Sequence, residues 1–130
     1  MFKPIIPFIH CRKGQSLVEF ALVIPVFLIL LLGIFEFGRA WETVNIMTSA
    51  AREGARVAAV TNPDVGSATS AAQRILSAGN ISNAAISISG PDGNSEVQVT
   101  VTVNYTPITN FIPGLGPWSL SRTTSMHWEG

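Results

Sequence analysis

From Phe20 to Phe35 the chain reads Phe-Ala-Leu-Val-Ile-Pro-Val-Phe-Leu-Ile-Leu-Leu-Leu-Gly-Ile-Phe, a run with no charge and almost no side chain that can hydrogen-bond. As a helix this run is about 24 Å long, and with the flanking turns from Ser16 to Phe37 roughly 33 Å, enough to cross a bilayer. The pattern predicts a transmembrane helix over residues 15–37. Pro25 cannot donate to the carbonyl of Ala21, so a bend is expected there unless neighbours hold the helix straight. From Glu36 the pattern changes. Good helix formers continue to about residue 60 with only Gly38 and Gly54 as interruptions. Trp41, Val44, Thr48, Ala51, Ala55 and Ala58 recur at three- and four-residue steps, which predicts that the helix continues past the bilayer with one stripe suited to packing. Trp41 lies near the expected outer interface, where an indole is often found. Arg39, Glu42, Arg52, Glu53 and Arg56 fall off that stripe, and a solvated face is their default reading.

Asn62-Pro63-Asp64 breaks the long helix, and Asp64 is placed to cap a second one carrying Val65, Ala68, Ala72, Ile75 and Leu76, with Gly79-Asn80 as its stop signal. Ala84, Ile86 and Ile88 then alternate with Ala85, Ser87 and Ser89, a short strand. The turn chemistry of Gly90-Pro91-Asp92-Gly93-Asn94 follows. The strongest alternation in the chain comes next: Val97, Val99, Val101, Val103 and Tyr105 against Gln98, Thr100, Thr102 and Asn104. It predicts a strand buried on one face, paired with the preceding strand in an antiparallel hairpin, its valines against the long helix. Residues 106–118 are rich in proline and glycine yet carry Phe111, Ile112, Leu115 and Trp118. Such a loop is expected to touch the underside of the sheet, the membrane surface or a partner subunit. Leu120 to Trp128 can form a third strand, and Arg122 on its apolar side suits an edge position. The fold class is therefore α+β: a long transmembrane-plus-amphipathic helix, a short second helix, and a small antiparallel sheet of about three strands.

Composition narrows the function. Charged residues are 12% of the 130, about half the usual share of roughly 25%, and apolar residues are 47%. Lys plus Arg and Asp plus Glu are eight each, so no basic surface advertises nucleic acid. One cysteine, Cys11, excludes an internal disulfide, and with two separated histidines, His10 and His127, it offers no zinc-ligand spacing. Neither a metal nor another cofactor is expected. Without a glycine-rich phosphate loop or a nucleophile, base and orienting group in plausible proximity, no catalytic residue and no small-molecule substrate is expected either.

Lys3, Arg12 and Lys13 precede the predicted membrane helix and no acid does, which places the N-terminus in the cytoplasm and residues 38–130 outside it. Processing is distinguished by where it cuts. Signal peptidase would have only the poor site Gly38-Arg39-Ala40 after the run, and a lipoprotein cut does not suit Cys11, which follows Ile9-His10 and precedes the run. The basic pair Arg12-Lys13, then Gly14, then Gln15-Ser16-Leu17-Val18-Glu19 resembles the class III signal of type IV prepilins. That resemblance implies that residues 1–14 are a cytoplasmic leader, removed by a membrane prepilin peptidase between Gly14 and Gln15.

Glu19 needs an electrostatic reason, because an acid inside a membrane segment costs about 2.5–3.5 kcal/mol on insertion scales. Cleavage would supply one by exposing an α-amine on Gln15 that can face Glu19 of a neighbouring subunit. Spacing alone equally allows pairing with Gln15 of the same chain at i, i+4, or snorkelling with a favourable interaction at the helix N-terminus.

The segment Gly14 to Pro25, the segment Gly33-Ile-Phe-Glu-Phe-Gly38 and Ala50-Ala-Arg-Glu-Gly-Ala-Arg56, in this order, resemble the TadE family of minor pilins or pseudopilins of the tight-adherence (Flp-type) pilus. The likeness is dense over residues 12–60 and beyond them one of layout. It implies a pilin-like fold, Glu19 as an assembly residue, and as partners the lipid bilayer, prepilin peptidase and other pilin or Tad assembly subunits. It gives no role to Arg52, Glu53 and Arg56. Around Gly54 the residues themselves leave two readings: intramolecular packing, or close approach of another element whose register the charges fix. The rival readings of the whole chain are an uncleaved single-pass anchored scaffold or binding domain, and a pseudopilin of a type II secretion system.

Overall fold

The computed structural model describes residues 12–61, 64–91, 93, 95–108 and 116–128, with side chains from Gly14 onward. Most of the expected leader, with His10 and Cys11, lies outside the described residues, as does the stretch 109–115 of the apolar loop. Helix α1 spans Arg12–Val60 and helix α2 Val65–Ala78, followed by β1 (Ala84–Ser89), β2 (Glu96–Tyr105) and β3 (Trp118–His127). The architecture is the expected α+β one. It divides into two compact units, the first ending at Phe35 and the second beginning at Glu36.

In the first unit α1 continues as α-helix through Pro25. Every side chain described there is exposed, including Phe20, Leu22, Val26, Ile29 and Leu30. A helix whose apolar side chains are exposed on all sides among the described residues is the pattern of a lipid-facing segment, and α1 is long and apolar enough to cross a membrane.

In the second unit the sheet has the order β1-β2-β3, antiparallel throughout. Central β2 aligns Val101 with Ile86 on one side and Arg122 on the other. Its alternation turns Val97, Val99, Val101, Val103 and Tyr105 to the buried face, each valine contributing about 1.5–3 kcal/mol on leaving water. The core beneath them comprises Met47, Ala50 and Ala51 of α1, Ala72 and Leu76 of α2, and Ile81, with Ala58, Ala68 and Val97 forming a second cluster. Asp64 caps α2 as its position predicts, accepting from the Gly66 N–H at 3.0 Å and from the Ser67 hydroxyl at 2.6 Å. These two bonds hold its carboxyl below the usual range, the Ser67 bond contributing most. At the other end the Gly79 N–H returns to the Ile75 carbonyl, and Asn80 adopts the left-handed region at φ 58°.

Two expectations are corrected here. The buried face of α1 is Met47, Ala50, Ala51, Gly54, Ala55 and Ala58; Trp41 is 60% exposed and stacks on Phe37 with ring centroids 6.2 Å apart, while Val44 and Thr48 are half-buried. The sheet selects the smallest side chains for close approach rather than the largest apolar ones, and this turns the packed face away from Trp41. Strand β3 starts at Trp118, two residues earlier than expected; it is an edge strand, with Leu120, Thr124 and Met126 half-buried and Arg122 exposed.

Gly54 marks a close approach of three elements. A Cβ there would stand 3.2 Å from Val99 Cγ1, 3.3 Å from Ala72 Cβ and 3.4 Å from the Ala68 carbonyl oxygen, so α1, α2 and β2 all converge on a position without a side chain. Gly54→Leu is expected to destabilise the second unit by about 1–3 kcal/mol or more through overpacking, read as a lower denaturant midpoint of the full chain in detergent micelles. An unchanged midpoint would mean that α1 does not pack here.

Candidate functional site

Three places in α1 bear on function. At its start, Arg12, Lys13, Gly14 and Gln15 lie in the first turn, and Glu19 follows Gln15 by four residues. Gln15 and Glu19 are both exposed on the apolar helix. A carboxylate so placed is available to a partner in a neighbouring chain as readily as to its own helix.

Further along, Arg52 and Arg56 are exposed, Glu53 is half-buried and Gly54 is buried. Arg56 donates to Glu53 through Nε at 2.9 Å and Nη2 at 2.7 Å, a two-pronged pair on the helix surface. The hydrogen bond from Arg56 holds the Glu53 carboxyl below its usual range and pushes the Arg56 guanidinium up. Exposed pairs of this kind contribute little to stability. Gly54 has its close neighbours within the chain, in α2 and β2. Intramolecular packing, the simpler of the two readings, is thus what the small residues provide.

The third place has no counterpart in the expectations above. Glu36, the first residue of the second unit, is only 8% exposed. Its carboxylate accepts from the Tyr105 hydroxyl at 2.6 Å and from the Ile108 N–H at 3.2 and 3.3 Å, and Arg39 Nη1 stands 3.6 Å away. The Arg39 guanidinium also lies over the Tyr105 ring, 5.7 Å from its centroid, and the Trp118 ring stacks on the same tyrosine at 6.5 Å. Arg39 is therefore half-buried in this cluster and does not belong to a solvated face. Burial, followed by the hydrogen bond to Glu36, pushes the Tyr105 phenol up to about 12.

Glu36 was missed because its segment, Gly33-Ile-Phe-Glu-Phe-Gly38, reads as the margin of the apolar run. A signal was present. Counting back from Gly54 through Ala50, Met47 and Thr43 by threes and fours leads, seven residues before Thr43, to Glu36, so the acid stands on the face that packs. Its partners, 69 and 72 residues away, give no such clue.

Among the described residues no three His, Cys, Asp or Glu side chains are grouped so as to hold a metal ion. Asp64 is engaged as a helix cap, and His127 is exposed on β3.

Residues 14–56 match the family model of TadE-like proteins. The chain carries the TadE-like segment. The match covers about a third of the chain, from Gly14 through the apolar run to Arg56, and includes Glu19, Glu36 and Gly54. No curated protein and no solved structure matches the chain. The TadE-like family is one of structural pilus components, and the one long apolar helix among the described residues, near the N-terminus, suggests single-pass membrane anchoring.

Tyr105→Phe removes the shortest of the bonds to the buried Glu36 while keeping the ring. It is expected to cost about 1.5–3 kcal/mol, the range for hydrogen bonds to charged groups, measured by chemical denaturation of the full chain in micelles. A variant as stable as the parent would show that the tyrosine does not hold Glu36.

Proposed function

We propose that this chain is a minor pilin or pseudopilin of a tight-adherence pilus, held in the cytoplasmic membrane by residues 15–37 and used in building the filament. The observation that carries this reading is the TadE-like match over residues 14–56, falling on an exposed apolar helix that continues into the packed core of a small α+β domain. The match also favours a tight-adherence component over a type II secretion pseudopilin.

In this reading Arg12 and Lys13 keep the leader in the cytoplasm, and residues 38–130 lie on the far side of the membrane. Prepilin peptidase cuts between Gly14 and Gln15 and creates a new cation, the α-amine of Gln15. Glu19, exposed one turn along, neutralises that amine of an adjacent subunit and sets the stagger between helices. The apolar faces of the helices then leave lipid for one another. A chain that is not cut lacks the amine and stays in the bilayer.

The test is the intact mass of the membrane-extracted protein from cells with and without prepilin peptidase. A start at Gln15 that depends on the peptidase is expected, with Gly14→Ala accumulating the full-length precursor and Glu19→Gln cut normally but depleted from sheared pili. The same mass would reveal cyclisation of Gln15, which would remove the cation. A chain starting at Met1 in both strains would contradict the proposal and support a permanently anchored scaffold.

A further inference from the structure

We propose that the end of the sheet bound to Glu36 is a docking surface for the outer lipid interface, with Phe37, Trp41, Ile108 and Trp118 as its anchors. This rests on residues 15–37 being a membrane span. All four side chains belong to the second unit and are exposed: Phe37 by 69%, Trp41 by 60%, Ile108 by 60% and Trp118 by 43%. In sequence they come from two places about 70 residues apart. The fold gathers them at one end of the domain, because the Ile108 N–H is bonded to Glu36 and Trp118 is paired with Tyr105 across the sheet and stacked on its ring.

The depth of that end follows from the span. The polar layers raise bilayer thickness from about 30 Å to about 40–45 Å, so each is about 5–8 Å deep. At 1.5 Å per residue that depth covers about three to five helical residues. With the hydrocarbon ending near Phe37, the layer extends to about Trp41, and Glu36 lies at its inner edge. Ile108, bonded to Glu36, and Trp118, stacked on Tyr105, are held at this level. Aromatic rings with a polar edge concentrate in this layer. Arg39 completes the match: its side chain is 39% exposed, and a guanidinium there can meet a lipid phosphate.

What covers these apolar side chains is thus the headgroup and upper acyl region of a phospholipid, continuous with the lipid around the helix.

The test uses the full chain in phosphatidylcholine vesicles. Trp118 is left as the only indole by Trp41→Phe and Trp128→Phe, and its emission is followed with lipids brominated high on the acyl chain and with aqueous iodide. A second variant, with Phe27→Trp and all three native tryptophans changed to Phe, reports on the span with deeply brominated lipid. The inference predicts a blue-shifted Trp118, quenched by the shallow bromines and little by iodide. Quenching by iodide alone would overturn it. Protection from both quenchers would also overturn it, because a protein surface would then cover this face. If Phe27→Trp escapes the deep bromines, the span reading fails and the inference falls with it; if that probe is quenched and Trp118 is not, only the inference fails. Photoactivatable phosphatidylcholine applied to the unsubstituted chain gives an independent reading: label at Ile108 or Trp118 supports lipid docking, and label confined to α1 overturns it.

Discussion

A helix that leaves hydrocarbon and enters a protein core must change solvent within about one turn, and in this chain that change happens at a carboxylate. Glu36 immediately follows a run in which every described side chain is exposed, and it is itself buried. Burying an acid is costly unless its oxygens find donors. Here the donors are the Tyr105 hydroxyl and the Ile108 N–H, with Arg39 as a nearby cation. The requirement runs both ways, because Tyr105 is buried as well and its hydroxyl needs an acceptor. Two polar groups, each expensive alone, become acceptable together, and their bond ties β2 to the helix where the second unit begins.

The remainder of the second unit is arranged from that point. β2 runs back along α1, so that Tyr105 meets Glu36, Val101 and Val103 share a cluster with Met47 and Ala50, and Val97 meets Ala58. Valines on the strand and alanines on the helix are both short, and the surfaces come close enough that Gly54 cannot take a Cβ without displacement of its neighbours. α2 covers the same valines with a further set of alanines. Within the second unit the sheet and α2 therefore pack on the small-residue face of α1 from Met47 to Ala58.

Much of this was legible in the sequence because it rests on periodicity. The uncharged run specified the helix of the first unit, the Val97 to Tyr105 alternation the central strand, and Asp64 with Gly79 the limits of α2. Arg122 among apolar positions marked an edge strand. What periodicity conveys poorly is which of two adjacent helix faces is buried. Trp41, Val44 and Thr48 drew the expected face toward bulk, whereas the sheet takes the side where Ala50 and Gly54 let it approach. The bond between Glu36 and Tyr105 was illegible for another reason. It joins residues 69 positions apart, and an acid beside an apolar run is ordinarily read as the border of that run. The roles proposed for Gly14, Gln15 and Glu19 rest on resemblance, since the chemistry proposed for them concerns a peptidase and a neighbouring subunit.

The central claim is that Tyr105 is buried against Glu36 in the native chain, and the protein holds a single tyrosine, so an absorbance titration of the phenol reports on this bond alone. Burial and the hydrogen bond favour the protonated phenol. Its contribution to stability is therefore complete below its ordinary value near 10 and is lost as pH rises through about 12. The account predicts a midpoint near 12 for the full chain in micelles, with helix content followed in the same samples. A midpoint near 10 while the chain is still folded would place Tyr105 in water and contradict the account.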